Sequence, residues 1–191
     1  MASEKGRLIV FEGADKSGKT SIAKYLQHQL GERSIYNKGI GGDNWLGKLY
    51  NCHGYKNTWS FLGDLYIQQR NIIRPAIDKK KIVLQDRWVY SVVSYPGREE
   101  YPLLEKVAEK RLLQPDLLVL VSCSLEERIE RLRCAPADNH EDLILHPEKI
   151  KLWEDELWKK YLRFGGDKFY LDTTGKTVEE SGKIILAFLD Y

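Results

Sequence analysis

The chain has 191 residues, 42% hydrophobic and 30% charged, with a net charge of +2. That balance suits one globular domain with a sizeable core and gives no global basic field for nucleic acid or a membrane surface. Three cysteines, Cys52, Cys123 and Cys134, are too few and too scattered for a disulfide framework or a zinc site.

The first element is the apolar run RLIVFE at 7–12, read as a buried strand, and SIAKYLQHQL continues a helix over 19–30. A second strand is expected at 33–38, followed by the glycine-rich loop 37–48 and a long helix over 58–79. The block KIVLQD predicts a third strand at 81–86, then a helix over 99–112 and a fourth strand, DLLVLVS, at 116–122. Ser124 with Glu127 three residues on gives a capped start to a helix over 125–134. The polar, proline-containing segment 133–146 reads as a short lid before a helix over 146–164. KFYLD at 168–172 is the last strand, and Thr177 with acids after it starts a final helix over 177–189. Near-continuous apolar strands alternating with helices predict a three-layer α/β fold, a five-stranded parallel sheet flanked by helices in a single domain.

No run approaches the roughly 20 apolar residues of a membrane-spanning helix. The stretch before Glu12 carries too short an apolar core for a signal peptide. A cytoplasmic location, with no nucleic-acid or membrane partner, is expected.

Gly13-Ala14-Asp15-Lys16-Ser17-Gly18-Lys19-Thr20 matches G-x-x-x-x-G-K-[ST] without mismatch, between a strand and a helix. The glycines allow successive backbone N–H groups to face one anion, and the helix N-terminus adds positive potential. Lys19 can reach β- and γ-phosphates, and the Thr20 hydroxyl can ligate Mg²⁺. Gly13, Asp15, Lys16, Ser17, Gly18, Lys19, Thr20 and Ser21 are thus the candidate ATP phosphate site. Asp86 ends the third strand and Arg87 follows it. An acid there can hold magnesium and an arginine can grip a phosphate, since ligands gather at the carboxyl ends of parallel strands.

FEGADKSGKT, DRW at 86–88 and the flanking PAI at 75–77 and PDL at 115–117 together resemble the thymidylate kinase family. Ser91, Tyr95 and Gly97 fall at further positions of its pattern. The resemblance implies the P-loop NTPase fold and phosphoryl transfer from ATP, with Mg²⁺, to a nucleoside monophosphate, dTMP by default. It implies that Asp15 contacts the acceptor sugar, Arg87 the acceptor phosphate and Phe61 the base, with Ser91 and Tyr95 nearby. Asp86 would organise magnesium with Thr20, and Arg131 would approach ATP. The family supplies a mobile positive charge from the phosphate loop or the lid. The lid 134–142 has no Lys or Arg, so Lys16 is assigned as the transition-state clamp beside Lys19. A homodimer through packed helices is also implied.

The pattern has departures near the acceptor. The family's acceptor helix carries an arginine where this chain has Leu65, and Arg70 lies more than a turn further on. Loss of such a contact should cost about 2–4 kcal/mol of monophosphate binding unless another group, Lys38 or Lys48, replaces it. Asn37-Lys38-Gly39 replaces an Arg-Glu-Pro, Pro96 a Gln, and Ser122 an acid. These changes leave open a kinase for a different nucleotide or a nucleoside, or a non-catalytic nucleotide-binding protein. A GTPase is disfavoured because NKGI at 37–40 lacks the aspartate of a guanine-reading motif. His140, His146 and Cys134 match no tetrahedral metal spacing, and Trp153 and Trp158 read as packing or subunit contacts rather than ligands.

Overall fold

A computed structural model of the chain describes residues 5–39, 58–94, 101–134 and 147–190. Five parallel strands, β1 (Arg7–Glu12), β2 (Ser34–Lys38), β3 (Ile82–Asp86), β4 (Leu117–Ser122) and β5 (Asp167–Asp172), form one sheet in the order β2-β3-β1-β4-β5. The central strand β1 pairs with β3 from Arg7↔Ile82 to Phe11↔Asp86 and with β4 from Ile9↔Leu117 to Glu12↔Leu120. This register brings Glu12 and Asp86 to the same edge of the sheet. Asp116 fixes the entry of β4, accepting the Leu8 N–H at 2.7 Å through its carboxylate while its own N–H donates to Leu8 O.

Alternate side chains of each strand point to opposite faces, and helices cover both. On one face Ile9, Phe11, Leu84, Val119 and Val121 pack against α1 (Lys19–Leu30) and the C-terminal helix α8 (Val178–Phe188). On the other, Leu8, Val10, Val83, Leu118 and Leu120 pack against four further helices. These are α2 (Thr58–Gln68), α4 (Val89–Val93), α5 (Tyr101–Arg111) and α7 (Pro147–Arg163). The described residues also form the short α3 (Arg74–Asp78) and α6 (Leu125–Arg133).

The helix expected over 58–79 is interrupted, with one π-helical turn at Gln69–Ile73 joining α2 to α3. Pro75 is the cause in sequence, because it has no N–H for the regular ladder and its ring crowds the preceding turn. The start signals of the last helices hold. Ser124 Oγ accepts the Glu127 N–H, and Thr177 and Glu180 form a reciprocal capping box at α8. β5 is half exposed rather than an apolar block, as an edge strand with one neighbour can be. The lid and most of the glycine-rich loop lie outside the described residues.

Candidate active site

The site begins where β1 stops. Gly13 has φ 143°, and a Cβ there would stand 2.0 Å from Val121 O, so only glycine lets the chain leave the sheet here. Lys16 (φ 63°) and Gly18 (φ 99°) also lie in the left-handed region and wrap the loop back to α1. Gly18 offers no side chain to cap α1, so the first N–H groups of that helix are left for an anion. Lys19 is buried and spans the loop, its Nζ donating to Ala14 O at 2.7 Å. Burial, then repulsion from Arg87, lowers its pKa to about 8 against the pull of Asp15, Asp86 and Glu12. Ser17 Oγ is buried with no hydrogen-bond partner.

Asp86 receives two hydroxyls on Oδ2, from Thr20 Oγ1 of α1 and from Tyr36 of β2 at 3.1 Å. A hydroxyl beside a carboxylate is a hard-oxygen pair suited to Mg²⁺, so these residues fit the ion implied by the sequence.

The arginine after Asp86 is held in an unusual backbone state. Arg87 has φ 70°, and its N–H donates to Phe11 O at 2.9 Å. Its Nη2 makes a short ion pair with Asp15 Oδ1, while Nη1 donates to Gly13 O at 3.2 Å and Ser91 Oγ at 3.0 Å. The guanidinium lies over the Trp153 ring, 5.1 Å from its centroid. Behind it, fully buried Glu12 accepts the N–H groups of Trp88 and Ser91 and the Ser91 hydroxyl. Burial raises the Glu12 pKa, opposed by the Ser91 hydrogen bond and the charge of Arg87.

Arg131 approaches the loop from the other side. Its Nη1 donates to Lys16 O and Thr173 Oγ1, both at 3.1 Å, and Nη2 donates to Thr173 O and Glu127. The Thr173 hydroxyl, placed just past β5, meets Ser17 O at 2.9 Å and Ser122 O at 3.0 Å. Between these walls lies a cleft of about 890 Å³, with Asp15, Lys16, Lys19, Thr20, Ser21 and Asp86 along the loop side. Lys24, Lys38 and Lys176 add to Lys16, Lys19, Arg87 and Arg131 on its lining, seven cations against the three acids Asp15, Asp86 and Glu127. Such a surplus matches a polyphosphate.

A sequence model of the family described as thymidylate kinase matches residues 11–150. The chain belongs to the thymidylate kinase family. It is 29% identical over 189 residues to the thymidylate kinase of Leptospira interrogans, covering 88% of this chain and 90% of that one. It is 31% identical over 135 residues to a probable thymidylate kinase of Archaeoglobus fulgidus, covering 66% and 69%. The fold matches the thymidylate kinase structure from Candida albicans with a TM-score of 0.77 at 20% identity, covering 97% of this chain and 92% of that one. The architecture is therefore the P-loop NTPase fold expected of the family, and ATP with Mg²⁺ is its cofactor set. Among the described residues no helix is long and apolar enough to cross a membrane.

The cleft brings Asp15, Lys16, Gly18, Lys19, Thr20 and Ser21 together with Asp86, Arg87 and Arg131. Gly13 and Ser91 join them through Arg87, and Ser17 is buried outside the lining. Phe61 packs, partly buried, against the core beside Leu62 and Leu65. Leu65 is fully buried, so the position that carries an arginine in the family pattern is core here. Tyr95 lies outside the described residues. Glu12, Tyr36, Trp153 and Thr173 were not singled out as site residues. Glu12 could have been flagged as an acid inside an apolar strand, whereas the other three carry no local signal.

Proposed function

We propose that this protein transfers the γ-phosphoryl group of ATP to the 5′-phosphate of dTMP, giving dTDP and ADP. The observation that carries the reading is the pairing of Arg87 with Asp15 at one end of a cationic phosphate loop. One loop thus serves a polyphosphate donor and, through a strand-end arginine, a second phosphate.

In this reading Lys19 and the loop N–H groups hold the β- and γ-phosphates. Thr20 and Asp86 hold Mg²⁺, which supplies neutralising charge to the phosphates when bound. Arg87 exchanges part of its contact with Asp15 for the acceptor phosphate, freeing the Asp15 carboxylate to accept from the sugar hydroxyl. Ser91 keeps the guanidinium aimed, and Phe61 and Tyr95 line the base. Lys16, on the loop turn at positive φ, stabilises the charge of the migrating group. Lys38 lines the same cleft and is the proposed second cation for the acceptor in place of the family's arginine. Trp59 and Tyr66 on α2 and Leu103 on the adjoining α5 are exposed, which supports a homodimer through these helices. The cytoplasm is the proposed location.

The test is an ADP-release assay with ATP, Mg²⁺ and a panel of nucleosides and nucleoside monophosphates. Turnover highest with dTMP supports the reading. An inert dTMP beside another active acceptor overturns the substrate, and no ADP release with any acceptor overturns the kinase.

A further inference from the structure

Arg87 combines a catalytically placed side chain with a backbone conformation that L-residues rarely adopt, and something must hold it there. Its carbonyl is held by Gln85, whose Nε2 donates to it at 3.0 Å. Gln85 Oε1 accepts from Asn37 Nδ2 at 2.7 Å, and the other hydrogen of that same nitrogen goes to Gln68 Oε1 at 2.8 Å. Gln68 Nε2 then donates to Gly39 O at 3.0 Å, and Gly39 N–H donates to Asp86 O at 2.7 Å. Three amides from β3, β2 and α2 therefore form a chain that closes on the backbone of residues 86 and 87. All three are buried. Gly39 makes the closure sterically feasible, since a Cβ there would lie 2.3 Å from Arg87 O and 2.4 Å from Asp86 O.

Burying three amides gives little stability over apolar residues of equal size, because their hydrogen bonds replace those made to water. What a connected buried network does provide is a defined geometry. Asn37 donates to both glutamines, so the donor direction runs outward from it along two arms, one ending on Arg87 O and the other on Gly39 O.

We infer that Gln85, Asn37 and Gln68 are positioning residues for phosphoryl transfer: their relay fixes the Arg87 peptide and thereby aims its guanidinium at the acceptor phosphate. This rests on the reading of Arg87 given above. None of the three amides lines the phosphate cleft, so loss of the relay should be felt in acceptor kinetics.

The experiment is a double-mutant cycle between Gln85→Met and Arg87→Ala, read as kcat/KM for dTMP and KM for ATP. Gln85→Met should lower kcat/KM for dTMP about tenfold in the parent and less than about twofold in the Arg87→Ala background, with KM for ATP unchanged. Equal losses in both backgrounds, no loss in either, or a loss confined to ATP overturns the relay. An Arg87→Ala protein with parental acceptor kinetics instead refutes the role of Arg87, and the relay's target with it. Thermal melts accompany each variant. If Gln85→Met does not fold, Gln68→Met carries the same cycle from the far end, where a loss of about threefold is expected only when Arg87 is present.

Discussion

The buried lysine of the phosphate loop ties nucleotide affinity to pH. Lys19 has a pKa lowered to about 8, chiefly because burial disfavours its charge. Only the ammonium form grips a phosphate, and a bound polyphosphate favours that form, so binding takes up a proton at alkaline pH. With a pKa of about 8 the charged fraction falls from about nine-tenths at pH 7 to about one-tenth at pH 9. The Kd for Mg-ATP should therefore weaken about tenfold over that interval and plateau below about pH 7. Calorimetric titration in two buffers of different ionisation enthalpy would read both the affinity and the proton uptake, about half a proton per site near pH 8. The stability of the unliganded protein should move the opposite way. The folded pKa is below the ordinary 10.5, so the unfolded chain holds this proton more tightly, and stability rises as pH climbs from about 8 to about 10.5. The full span is worth of order 3 kcal/mol, isolated by comparison with Lys19→Met. A Kd that stays flat from about pH 7 to pH 9.5 in the parent protein would refute the reasoning.

Lys16→Ala should cut turnover about 100-fold while leaving the Kd for ATP within about threefold, because the charge is assigned to the transition state; near-normal turnover with intact ATP binding sinks that role. Gly13→Ala should destabilise the fold by about 3 kcal/mol or more, read as a large drop in Tm, since its Cβ would overlap Val121 O at a φ of 143°. Thr177→Ala removes the hydroxyl half of the α8 capping box, the acceptor for the Glu180 N–H, and should cost about 1 kcal/mol in chemical denaturation; an unchanged midpoint would show that packing of α8 against α1 alone fixes the helix start.

How much of this was legible depended on whether the cause was local. Strands β1, β3 and β4 are buried on both faces, so each reads as an apolar block, and the phosphate loop is one contiguous motif with its own strand and helix. The short helix α4 is not expected from the sequence, because VYSVV is rich in β-branched residues that favour a strand. What makes it helical is Glu12, accepting Trp88 and Ser91 N–H groups from 76 and 79 residues away. Tyr36 reaches Asp86 across 50 residues, and Thr173 reaches Ser17 across 156. No window of sequence contains both ends of such contacts. Leu65 shows the converse limit. Its residue type identified a departure from the family pattern, but only packing shows that the position is sealed in the core.

The two arginines that flank the site give the loop a second role besides cradling phosphate. Arg87 donates to Gly13 O at one end of the loop, and Arg131 donates to Lys16 O further along it. Arg87 is itself fixed by three elements, through Ser91 of α4, the Trp153 ring of α7 and the backbone of β1. Trp153 also donates its Nε1–H to Ser91 O at 3.3 Å, joining two of those supports to each other. Arg131 is fixed by Thr173, which bonds the loop and the end of β4 as well. The loop thus lies between two arginines that hold its Gly13 and Lys16 carbonyls, and within it Ser17 N–H donates to Ala14 O. In-line transfer needs reacting oxygens within about 3–3.5 Å of the phosphorus they approach, a tolerance finer than any one side chain provides. In the proposed reaction one stretch of backbone, held at Gly13 O and Lys16 O, would set that spacing, so a change at either arginine should alter geometry at the other as well as remove its own charge.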